Sequence, residues 1–351
     1  MSLDETRLHT LLGKMVNDMG AAAVAPLVIL GDKLGLYKRL AAAGPLSTED
    51  LAQQTSTSAR YVREWCAAQA GSGYIEFDAE TNQFSMTPEQ QAVFADPDSP
   101  ACMTGGYYAI SSLFIDEPKI SEAFQSGAGV PWGEHSSCLF CGTEKFFRPG
   151  YQTNLVSDWL PALEGVIPKL EQGAKVADVG CGHGVSTLVM AAAFPQSDFL
   201  GFDFHGPSVS RAKVLAAESG LTNVRFIEAS AKDFPGTDFD LIAFFDCLHD
   251  MGDPVGATRH SRQALKEDGT LLLVEPFAHD ELADNLNPVG RMYFSFSTMV
   301  CTPASLSQEV GLALGAQAGE RRLREVATAG GFTRFRRASE TPFNLVLEAR
   351  P

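Results

Sequence analysis

Residues 175–184 read Lys-Val-Ala-Asp-Val-Gly-Cys-Gly-His-Gly, and they restrict the fold of this 351-residue chain more than any other stretch. An apolar strand carrying one acid, Asp178, runs straight into glycines on alternate positions, Gly180, Gly182 and Gly184. A turn this bare brings backbone N–H groups close to a ligand, where a Cβ would clash. Val185–Phe194 then reads as a helix whose positive N-terminal end points at the same spot. Two common phosphate-binding turns do not fit. No Gly-Lys-Ser/Thr follows, and Val185 stands where a dinucleotide turn needs its third glycine. Asp178 also occupies a place that dinucleotide folds keep apolar.

From residue 175 onward, strand and helix patterns alternate, which predicts an α/β unit with a parallel sheet and helices on both faces. The strands are expected at Lys175–Val179, Asp198–Phe204, Val224–Ala229, Phe239–Phe245 and Thr270–Glu275, with helices between them such as Val209–Ser219 and Pro254–Leu265. Phe332–Arg337 and Asn344–Ala349 read instead as an antiparallel hairpin, where a dinucleotide fold would need a sixth parallel strand. Asp203 ends the second strand, placed to accept hydrogen bonds from both hydroxyls of a ribose, with Phe204 beside it.

The glycine turn, the second-strand acid and the terminal hairpin together resemble the class I S-adenosylmethionine-dependent methyltransferases, whose motif I reads D-x-G-x-G-x-G. The resemblance implies a seven-stranded Rossmann-like sheet closed by an antiparallel hairpin. It implies S-adenosyl-L-methionine as cofactor and S-adenosyl-L-homocysteine as product. It assigns cofactor contacts to Asp178, Gly180, Cys181, Gly182, Gly184, Asp203, Phe204, Ser230, Ala231, Phe245 and Asp246. Ser230 stands where the family usually has an aspartate holding the adenine amino group, and a hydroxyl accepts that bond more weakly.

The segment Phe245-Asp-Cys-Leu-His249-Asp250 resembles the Leu-His-Asp segment of small-molecule O-methyltransferases, in which the histidine is the general base. This gives His249 as base, with Glu275 or Asp250 orienting it. Histidine titrates near neutrality and suits a phenol-like acceptor. Trp132, Phe147, Tyr151, Met292, Tyr293 and Phe296 are the candidate acceptor contacts, in aromatic-rich segments placed to cover a pocket. His183 is expected near the cofactor, and His135, His205, His260 and His279 have no partner recognisable in sequence.

Residues 1–100 read as helical. Leu8 to Met19 forms one apolar helix, Ala21–Leu40 a second, and a helix–turn–helix with two short strands follows, resembling a winged helix. Ser47 is its expected N-cap, with Asp50 three residues on. Its charge is net acidic, and the whole chain carries −16, so phosphate-dominated DNA binding is not expected. In winged-helix O-methyltransferases the equivalent domain makes a homodimer, and the same is expected here. The domain reading is 1–100 winged helix and dimerisation, 101–150 connection and substrate lid, and 151–351 cofactor binding.

The seven cysteines hold one C-x-x-C, Cys138 and Cys141, without the second pair that a zinc site wants, so these two are read as loop residues and no metal is expected. Ala21–Leu30 is too short to span a bilayer, and a cytoplasmic protein without membrane association is expected. The alternatives are a methyltransferase acting at nitrogen or carbon, and a winged-helix regulator whose second domain only senses a ligand.

Overall fold

The computed structural model describes residues 3–351, which divide into two compact units. One comprises the chain up to Ser111 together with Cys141–Pro149, and the other Ser112–Phe140 and Gly150–Pro351.

The first unit begins with a single helix α1 (Glu5–Lys33), followed by α2 (Leu36–Ala43). The expected break near residue 20 does not occur, and Pro26 lies inside α1. The break falls at Gly35, whose φ of 70° suits a glycine and lets the chain reverse. Among described residues α1 is the helix long and apolar enough to cross a bilayer by length and composition, and 22% of that apolar window is buried. Its buried residues, Val24, Ala25, Val28 and Gly31, lie in the C-terminal half, while Leu11, Leu12, Met15, Val16 and Met19 are exposed.

Helices α3 (Thr48–Thr55) and α4 (Ala59–Gly71) follow, then β1 (Glu76–Asp78) and β2 (Gln83–Ser85) pair antiparallel as a wing. Ser47 caps α3 as expected, accepting from the Asp50 N–H at 3.1 Å. Helix α5 (Pro88–Phe94) starts with a full Thr87–Gln90 capping box. The core of this unit gathers Val28, Tyr37, Leu40, Leu51, Trp65 and Cys66. On the exposed face of α4, Arg60 is engaged by Glu64 at 2.5 Å, which removes one of the few cations that DNA could use.

Residues 100–150 hold two long helices, α6 (Thr104–Ser126) and α7 (Ser137–Gly150), where the sequence suggested an irregular connection. Glycine, serine and tyrosine blur the apolar period there. Cys138 and Cys141 therefore lie on a helix, not a loop. Gly105 and Gly142 let α6 and α7 touch: a Cβ at Gly105 would sit 2.3 Å from the Phe146 nitrogen, and one at Gly142 2.3 Å from that of Ala109.

In the second unit the stretch leading to the sheet is two helical pieces, a π-helical turn Tyr151–Trp159 and α8 (Val166–Gln172), separated at Gly165 with φ 67°. The order then becomes β3 (Lys175–Val179), α9 (Val185–Ala193), β4 (Asp198–Asp203), α10 (Gly206–Ser219), β5 (Val224–Glu228), β6 (Phe239–Phe245), α11 (Pro254–Ala264) and β7 (Leu265–Pro276). Helices α12 (Pro288–Phe296), α13 (Thr302–Leu306) and α14 (Gly319–Ala329) lead to the hairpin β8 (Arg334–Glu340) and β9 (Asn344–Arg350).

The seven-stranded sheet runs β5-β4-β3-β6-β7-β9-β8. The first five strands are parallel, and β9 inserts antiparallel between β7 and β8. Every residue of β6 is buried, as both faces are covered. Phe202, Phe234 and Phe239 pack ring to ring in the core beside Ile242, Phe244 and Leu271. Each such side chain contributes about 1.5–3 kcal/mol by leaving water. Strand order reverses between β3 and β6, so the crevice past their C-terminal ends is where an open α/β sheet binds a ligand.

Candidate active site

Gly180, Gly182 and Gly184 follow β3 with φ of 76°, 53° and 78°, a turn that side-chain-bearing residues rarely adopt. Gly180 is packed tight, and a Cβ there would sit 2.6 Å from the Cys247 sulfur. A Cβ on Gly182 would meet nothing within 4 Å, so this part of the turn faces open space. Cys181 points inward and is buried.

Asp178, 1% exposed, is gripped on one side only. Its Oδ2 accepts from the Ser186 and Thr187 hydroxyls, both at 2.6 Å, while Oδ1 is buried with no partner among the described residues. Burial pushes its pKa up to about 6 against those two hydrogen bonds. At the end of β4, Asp203 Oδ2 accepts the Gly182 N–H at 2.8 Å and Oδ1 the His205 N–H at 2.8 Å. The neighbouring Phe204 ring is 54% exposed. Ser230 Oγ, after β5, accepts the Lys232 N–H at 3.2 Å, and Ala231 is half-buried beside it.

An open-faced glycine turn, a bare buried carboxylate oxygen, an acid at the next strand end and a free aromatic face fit S-adenosylmethionine. The first three offer partners to an α-amino group and a ribose, and the last offers a surface to adenine.

The end of β6 brings in the second group. Phe245 meets Tyr151 edge-on at 5.5 Å. Asp246 holds a φ of 50°, strained for a non-glycine, and accepts from Asn344 Nδ2 on β9 at 3.2 Å. Burial raises its pKa, with repulsion from Glu275 adding to the effect. His249, 4% exposed, presents Nδ1 to Glu275 Oε2 at 2.5 Å, and Glu275 Oε1 accepts the Leu248 N–H at 3.0 Å. Burial opposes charging of His249, but the Glu275 carboxylate and the adjacent Cys301 outweigh it and raise its pKa. Asp250 affects the ring through charge, and burial pushes its own pKa up to about 7.

Trp132, Met292, Tyr293 and Phe296 converge on one apolar cluster with Leu139, Val300 and Cys301. The Tyr293 hydroxyl donates to the Phe343 carbonyl at 2.7 Å. Tyr151 is buried near Asp246 and Asp178, whereas Phe147 belongs to the other compact unit. Sequence reasoning missed Ser186 and Thr187, although both lie in the first turn of the helix that the glycine motif opens. It also missed Asn344 and Cys301, which only the folded chain brings near Asp246 and His249.

This sheet order, with a glycine turn after β3 and an acid at the end of β4, defines the nucleoside-binding methyltransferase class. The family models agree: a methyltransferase domain matches residues 170–330, and an Rv2258c-like winged HTH domain matches residues 22–95. The chain thus carries a methyltransferase domain, with an Rv2258c-like winged-helix domain ahead of it.

Among curated relatives, a tRNA (guanine-N(7)-)-methyltransferase of Halorhodospira halophila is 29% identical over 34% of this chain and 49% of its own length. A ubiquinone biosynthesis O-methyltransferase of Leptothrix cholodnii is 32% identical over 37% of this chain and 54% of its own. The chain thus spans about half the length of the curated relatives it matches. Human N-acetylserotonin methyltransferase in complex with SAM shares the fold at a TM-score of 0.74, with 17% identity, covering 100% of this chain and 99% of its own. An O-methyltransferase family protein from Burkholderia thailandensis does so at 0.69 and 15% identity, covering 97% of this chain and 98% of its own.

Proposed function

We propose that this chain transfers a methyl group from S-adenosylmethionine to oxygen on a small, partly aromatic or lipophilic acceptor. The observation that carries the reading is the buried His249–Glu275 pair, 2.5 Å apart. Glu275 accepts from Nδ1–H, which leaves Nε2 as the nitrogen that takes a proton. The cofactor supplies a methyl carbon already activated by its sulfonium, so the protein has to orient a nucleophile and remove its proton. The acceptor hydroxyl gives its proton to His249 Nε2 as its oxygen takes the methyl group. Asp178, the Gly180–Gly184 turn with Cys181, Asp203, Phe204, Ser230, Ala231, Phe245 and Asp246 hold the nucleoside and methionine parts. Trp132, Met292, Tyr293 and Phe296 form the apolar wall against which the acceptor lies, with Tyr151 at its edge.

A turnover screen over phenols, amines and lipophilic acids with methyl-labelled cofactor tests the reading. His249→Ala is expected to lower kcat on the acceptor found by roughly 10²–10⁴-fold, with cofactor affinity kept. Unchanged turnover in that variant sinks the base assignment, and labelled amines or carbons without labelled hydroxyls move the reaction to nitrogen or carbon.

The exposed Leu11, Leu12, Met15, Val16 and Met19 on α1 support a homodimer formed through the N-terminal unit.

A further inference from the structure

A second buried acid–histidine pair lies in the methyltransferase unit. His135 follows the 3₁₀ turn Trp132–Glu134 and is 5% exposed. Its Nδ1 is 3.2 Å from Oδ2 of Asp116, a buried residue of α6. The same carboxylate accepts the Ser136 N–H at 2.9 Å and the Lys119 ammonium at 3.1 Å. Burial pushes the Asp116 carboxyl up, but these donors outweigh it and hold it below its ordinary range, ionised. An ionised carboxylate can only accept, so Nδ1 carries the ring proton. Burial also lowers the His135 pKa, against the pull of Asp116, so the ring stays neutral. Nε2 is therefore a bare lone pair, fully buried and without a hydrogen-bond partner among the described residues. Folded proteins rarely leave such an acceptor empty.

Its neighbours suggest what completes it. The His135 ring stands edge-on to Trp132 at 6.3 Å, and Trp132 packs into the apolar cluster with Met292, Tyr293, Phe296 and Cys301. On its other side Trp132 meets Phe140 at 5.6 Å, and Phe140 stacks on His205, two residues past Asp203, at 4.9 Å. The histidine thus borders, through Trp132, the wall assigned to the acceptor.

We propose that His135 Nε2 accepts a hydrogen bond from a second donor on the methyl acceptor, a hydroxyl or an amine N–H other than the group methylated. This rests on the small-acceptor reading above. His249 and His135 then divide the work: one ring takes the proton, and the other selects the molecule. An acceptor lacking the second donor leaves Nε2 bare and is disfavoured on the order of 10- to 100-fold.

The test uses full-length protein carrying ¹⁵N-histidine and saturated with S-adenosylhomocysteine. Catechol, resorcinol and hydroquinone are the probes, with their dimethyl ethers as controls. The His135 resonance is assigned by its loss in His135→Phe. At least one diphenol is expected to shift the Nε2 resonance in the direction of hydrogen bonding, while its ether does not. His135→Phe should weaken that diphenol about tenfold and leave the ether unchanged, and His135→Gln, which keeps an acceptor atom, should restore part of the loss. An Nε2 resonance unmoved by all three diphenols overturns the proposal. So does a resonance already hydrogen-bonded without any probe, which would mean a resident water. Running the same probes with methyl-labelled cofactor separates the two readings: a shift without turnover sinks O-methylation of phenols and leaves the donor site standing.

Discussion

Five carboxyl groups, Asp178, Asp203, Asp246, Asp250 and Glu275, crowd the crevice at the strand ends. Burial pushes Asp178 up to about 6 and Asp250 up to about 7, and it raises Asp203 and Asp246 as well. A sulfonium cation favours their ionised forms. Its binding should therefore release protons between about pH 6 and 7 and weaken as pH falls through that window. The neutral thioether S-adenosylhomocysteine should release fewer. Calorimetry in buffers of different ionisation enthalpy measures the difference, and equal release by both ligands contradicts it. His249 pushes catalysis in the same direction. Its pKa is raised, so kcat/KM should fall as pH drops through a value above 6.5. Asp203→Ala should weaken the cofactor about tenfold or more, read as Kd, because two backbone N–H groups and the ribose lose their shared acceptor.

The elements explain what could and could not be read from the sequence. Strand-end residues were legible because the ligand crevice of an open parallel sheet lies past the C-terminal ends of its strands; Asp178, Asp203, His249 and Glu275 all sit at or just past those ends. The hairpin was legible as two short strand runs joined by a polar turn. Pairs such as Asp116 with His135, or Asn344 with Asp246, join separate elements, and no local period reports them. Residues 104–150 hid two helices because small and aromatic residues there serve close packing more than a single apolar stripe. Two stability measurements test the elements. Ser47→Ala should cost about 1 kcal/mol by removing the α3 cap. Phe234→Ala should cost about 3–5 kcal/mol, since its ring stacks on Phe202 and meets Phe239 and His260 edge-on. Both are read from denaturant midpoints.

For the whole molecule, the exposed apolar half of α1 separates a monomer from a dimer. Leu12→Glu combined with Val16→Glu should convert a dimer to a monomer in sedimentation, with the circular dichroism spectrum kept. A wild-type protein that already sediments as a monomer refutes the dimer reading.

The chain passes between its two compact units three times, after Ser111, after Phe140 and after Pro149. No single cut yields both units whole. A fragment ending near residue 100 lacks the returning stretch Cys141–Pro149, and with it the glycine-to-backbone contacts of α6 and α7. Expression of the winged helix alone is thus expected to give a frayed product, whereas a graft that moves residues 1–111 together with 141–149 keeps the first unit whole.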